Sequence, residues 1–87
     1  MLKIEKHSDG HKTTLRLIGR MQAEHLSELQ TLIAESGPEI VLDLQELMLV
    51  DVQAVRFLGN CRNNCVVLLH CSPYIRDWIA KEQEGSD

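Results

Sequence analysis

The side chains able to do chemistry in this chain fall into two groups. Cys61, Cys65, His70 and Cys71 lie close together in sequence and are thiolate and imidazole donors of the kind that hold zinc. Their spacing does not suit one ion. Zinc sites bring ligands in as close pairs such as Cys-x-x-Cys. Here the gap from Cys61 to Cys65 straddles a helix end and a strand start. Cys65 and Cys71 fall at opposite ends of one expected strand, about 20 Å apart at ~3.3 Å per residue. Cys71 and His70 could act as nucleophile and base, but neighbours on a strand point to opposite faces. The cysteines therefore read as reduced thiols, mostly core. His7 and His11 flank a turn, and His25 borders an apolar stripe. The second group is Asp43 and Asp51, whose carboxylates could serve acid–base work across a cleft. No glycine-rich phosphate loop or nucleophile elbow accompanies them. Asp51 reads instead as a helix N-cap and Asp43 as a strand-end acceptor. No catalytic residue, metal or cofactor is expected.

Composition narrows the function further. Eighty-seven residues make one small domain. Hydrophobic residues are 44% of the chain, but only Phe57, Tyr74 and Trp78 are aromatic, so the core must be aliphatic. Thirteen acidic residues against nine basic ones give a net charge of -4, which disfavours nucleic acid as a partner. No apolar stretch approaches the ~20 residues of a membrane span, and no apolar run follows a basic start. With methionine first, the chain reads as a complete soluble protein of the cytoplasm.

The elements that would position these groups follow from periodicity. Leu2 and Ile4 alternate with Lys3 and Glu5, Ser8-Asp9-Gly10 signals a turn, and alternation resumes from Thr13 to Ile18. This is an antiparallel hairpin with one wet face. Gly19 is expected to break the second strand. From Gln22 to Ser36, Leu26, Leu29 and Ile33 form a helical stripe, which Gly37-Pro38 ends. Ile40 to Leu44 reads as a strand covered on both faces, and Leu47 to Val50 as a further apolar cluster. Asp51 opens a helix carrying Ala54, Val55, Leu58 and Cys61 on one side. Cys65 to Leu69 reads as a second buried strand, and Ser72-Pro73 opens a last helix with Ile75 and Ile79 inward. The expected fold is α/β: a small mixed four-stranded sheet, from the hairpin plus two parallel-type strands, with three helices mainly on one face. Residues 1–81 would form the domain and 82–87 a polar C-terminal tail.

These residues also carry a family resemblance. The run Ile40-Val41-Leu42-Asp43-Leu44-Gln45-Glu46-Leu47-Met48-Leu49-Val50-Asp51 resembles the central motif of STAS domains: an aliphatic strand, Asp-Leu, a hydrophobic pair, then Asp-Ser-Ser-Gly opening a helix. Leu15-Arg16-Leu17-Ile18-Gly19-Arg20-Met21, Val66-Val67-Leu68-Leu69 and Ser72-Pro73 resemble the family's flanking segments in order and spacing. The resemblance covers roughly Lys3 to Lys81. It implies a small layered α/β fold and a non-enzymatic regulatory role like that of anti-sigma factor antagonists. In those proteins the first Ser after the Asp is phosphorylated, and the added charge blocks docking on a kinase-type anti-sigma factor.

This chain departs from the motif there. Val52 stands at the phosphorylated Ser and Ala54 at the Gly, so Asp51-Val52-Gln53-Ala54 offers no hydroxyl to a kinase. The resemblance leaves a partner-binding surface of Asp51, Val52, Gln53 and Arg56, with Gly19, Arg20 and Met21 on the loop beside it. Two placements of Val52 are open: exposed at the centre of this patch, or packed against Met21 or Met48. The implied partner is a protein, either a kinase-like anti-sigma factor or, if the chain is a transporter's accessory subunit, a nucleotide-binding subunit of an ABC-type or anion transport system. Homodimerisation through an open sheet edge is a further expectation. An enzyme built on Cys71, His70 or the Asp pair, and a purely structural paralogue, are the remaining readings.

Overall fold

Alternation along the first two segments produces two paired strands. In a computed structural model that describes residues 2–36 and 39–84, β1 (Leu2–Ser8) and β2 (Thr13–Met21) are antiparallel, in register from Leu2 opposite Gly19 to Ser8 opposite Thr13. The reversal is held by Asp9, whose Oδ1 accepts from the amides of His11 (3.1 Å) and Lys12 (2.8 Å). Gly10 supplies the left-handed φ of 92° that the turn requires. A 3₁₀ turn at Ala23–His25 leads into α1 (Leu26–Glu35). There the Gln22 amide donates to His25 Nδ1 at 3.1 Å. Gly37-Pro38, the expected stop, lies outside the described residues. Then come β3 (Ile40–Asp43), β4 (Leu47–Val50), α2 (Val52–Asn63), β5 (Val67–Leu69) and α3 (Pro73–Glu84).

The fold class is the expected one, but the sheet has five strands rather than four. Its order is β1-β2-β3-β5, and β4 pairs with β2 beyond the end of β3. Every pairing except β1–β2 is parallel. The fifth strand is the Leu47–Val50 cluster. Gly19 does not end β2, which runs through it to Met21. β5 also differs from expectation: it is an edge strand, with Val67 and Leu69 exposed. Its aliphatic run suggested cover on both faces, but the helices cover only one.

That face holds a single core. Leu15 and Leu17 of β2, Leu42 of β3, Leu29 of α1, Leu58 of α2, and Ile75 and Ile79 of α3 are almost wholly buried in one cluster. Register assigns the other face two rows: His7, Thr14, Val41, Val67 and Glu5, Arg16, Asp43, Leu69. Across them the Arg16 guanidinium pairs with Glu46 and, at 3.9 Å, with Glu5. α3 continues past Lys81, and Glu82 meets Arg56 of α2 at 2.9 Å.

Candidate functional site

The end of β2 is shaped by one irregularity. Gly19 has φ 101°, a conformation that side chains with a Cβ rarely take. The parallel register with β4 slips at this point: Gly19 faces Leu47, but Arg20 faces Leu49. Met48 is the extra residue of a bulge, and such bulges redirect side chains. Leu47 stays buried, while Met48 is 75% and Leu49 50% exposed. Sequence reasoning missed these two residues. Four consecutive apolar residues were a partial signal, since a strand buries only alternate side chains on one face, but the bulge that exposes both Met48 and Leu49 could not be read.

Asp51 ties this strand end to the next helix. Its Oδ1 accepts from the Ala54 amide at 2.8 Å, which caps α2 as expected. Its Oδ2 accepts from the Ala23 amide at 3.0 Å, and its own amide donates to the Met21 carbonyl at 3.3 Å. One carboxylate thus fixes both segments that border the surface. Asp51→Ala is expected to cost about 1–2 kcal/mol in chemical denaturation. Asp51→Asn, which can keep the cap, is expected to recover most of it.

Around this anchor the expected residues separate. Val52 is 37% exposed at the first position of α2, and Gln53 and Arg20 are exposed. Among the described residues Arg20 makes no ion pair. Arg20, Gln22, Leu49, Val50 and Asp51 line a shallow cleft of about 210 Å³ floored by Met21. Met21 itself is fully buried, so it supports the surface from beneath rather than facing a partner. Gly19, Arg20 and Met21 belong to a strand, not to a loop. Arg56 is exposed one turn along α2, with its guanidinium engaged by Glu82 of α3.

The other reactive groups lie elsewhere. Asp43 Oδ1 accepts from the Gln45 amide and meets His70 Nδ1, each at 3.1 Å. Burial opposes ionisation of Asp43. The Gln45 amide, the His70 hydrogen bond and the His70 and Arg16 charges outweigh it, holding the carboxyl below its ordinary 3.8. A lowered folded pKa means stability that is present above the ordinary value and lost as pH falls through the folded one. Asp43→Asn should therefore flatten the acid limb of a plot of denaturation midpoint against pH.

Burial pushes the Cys61 thiol up to about 11 and raises Cys71, despite the nearby charges of Arg76 and Arg62. A protonated thiol is a poor nucleophile. Iodoacetamide at pH 8 should label exposed Cys65 first and buried Cys61 last; the order is read by mass spectrometry. Among the described residues no three metal-capable side chains cluster.

This mixed sheet with helices on one face is a STAS-like fold. The solved structure of the anti-sigma factor antagonist SpoIIAA in its unphosphorylated form superposes with a TM-score of 0.68. That match covers 98% of this chain and 94% of the other at 14% identity. An antisigma-factor antagonist STAS domain from Rhodobacter sphaeroides matches at a TM-score of 0.56 and 15% identity, covering 80% of this chain and 85% of its own. At such identities the likeness is one of fold. No protein-family model matches the sequence, and no curated protein matches it. No helix among the described residues is long and apolar enough to cross a membrane.

Proposed function

We propose that this chain is a non-enzymatic protein-interaction module of the cytoplasm that regulates a partner as anti-sigma factor antagonists do, without a phosphoswitch at the helix start. The observation that carries this reading is the exposure of Met48, Leu49 and Val52 beside unpaired Arg20, where β2, β4 and the first turn of α2 meet. Apolar residues ringed by charge and polar groups suit docking on a protein. The solved neighbours are anti-sigma factor antagonists, and one is described in an unphosphorylated form. Here Val52 has no hydroxyl, so occupancy of the surface depends on partner availability rather than on phosphate at this position.

The test is affinity capture from the native cytoplasm with wild type beside Val52→Asp, read by mass spectrometry. An ATPase-fold kinase or sigma regulator held by wild type and lost by the variant is the expected result. An ABC-transporter nucleotide-binding subunit lost in the same way would move the protein to a transport role on the same surface. Equal recovery by both proteins would remove the surface from the reading.

A further inference from the structure

At the opposite end of α2 from Val52, the last turn of α2, the end of β5 and the start of α3 enclose a second cleft. Its volume is about 360 Å³, and it is lined by Arg62, Leu68, His70, Cys71, Arg76 and Ile79. Arg62 donates to the neutral Gln83 Oε1 at 3.1 Å. Among the described residues neither Arg62 nor Arg76 pairs with a carboxylate. His70 is held at the rim, with Nδ1 3.1 Å from Asp43 Oδ1, and left-handed backbone (φ 55°) sets its position. Both arginines line the cleft together with Cys71. In a chain of net charge -4, two arginines without a carboxylate partner and an anchored imidazole thus line one concavity.

We infer that this cleft binds a small organic phosphate. Guanidinium groups match the paired oxygens of a phosphate, and the imidazole's second nitrogen is left for a further hydrogen bond. Leu68, Ile79 and the un-ionised Cys71 give the rest of the cavity an apolar floor, so the ligand is a phosphate monoester with an apolar body rather than a bare ion. The Asp43 carboxylate is occupied by the Gln45 amide and His70. The site is separate from the docking surface: Val52 and Arg62 are ten positions apart on one helix, about 15 Å at 1.5 Å per residue.

The test is titration of the ¹⁵N-labelled protein with phenyl phosphate, inorganic phosphate and sulfate, following amide shifts. Saturable changes centred on residues 62, 68–71 and 76 are expected, with phenyl phosphate binding more tightly than either ion. Arg62→Gln and Arg76→Gln should each weaken phenyl phosphate about tenfold, as expected for loss of a charge-assisted hydrogen bond. Both residues are exposed, so both variants should fold. Lys12→Gln with Lys81→Gln removes two charges away from the cleft, more than either arginine variant, and should leave affinity unchanged. Overturning results are absence of saturation, equal weakening in the lysine variant, or equal binding of all three probes, which would show general attraction to anions instead of a built site.

Discussion

Val52→Asp should weaken partner binding by at least about thirtyfold, the scale of a hot-spot residue, while the thermal midpoint stays within a few degrees of wild type. The two effects separate because of where Val52 sits. As the first residue of α2 it lies at the positive end of the helix dipole, where a new carboxylate is favourable by ~0.3–1 kcal/mol. That offsets the partial burial lost from a side chain already 37% exposed. In the proposed complex, the same carboxylate would have to be desolvated beside Met48 and Leu49. Titration calorimetry against the captured partner, with a melting curve for each protein, checks both halves. A parallel fall in affinity and stability would make Val52 part of the core and remove the centre of the proposed surface.

Gly19→Val should be the most damaging single change at this end of the molecule, with a loss of about 2–3 kcal/mol. At φ 101° a β-branched residue is severely strained. Relief would require β2 to straighten, which would remove the slip that lets Arg20 face Leu49. Met48 would then return to a regular register and the exposed pair would be lost. Denaturation should therefore show lower stability, and the folded fraction should bind the partner less well. Gly19→Ala, with a smaller side chain at the same φ, should fall between valine and wild type in both measurements.

The order of elements was legible because it rests on changes of period: alternation in the hairpin, a helical stripe at Leu26, Leu29 and Ile33, and Asp51 and Ser72-Pro73 as helix starts. What escaped depended on neighbours distant in sequence. Leu47–Val50 is too short and too uniformly apolar to show a strand period, and it becomes a strand by pairing with Gly19–Met21. Val67 and Leu69 look like core until their strand is seen at an edge with helices on one face only. Gly19 carries the same ambiguity at a single residue, since a glycine that ends a strand and one that bulges it look alike in sequence. Within the candidate site, Asp51 was read from residue type alone, as a cap. Its second bond to Ala23, the engagement of Arg56 by Glu82 and the burial of Met21 required the packed chain.

The bond from Asp51 to Ala23 also has a kinetic meaning. Because one carboxylate joins the helix start to the segment after β2, the proposed surface would be assembled before a partner arrives. Encounter is then not slowed by a folding step, and the association rate is set by diffusion, orientation and the charge on Arg20. Changes to the apolar residues should appear in how long the complex lasts, and changes to Arg20 in how quickly it forms and how steeply that rate falls with salt.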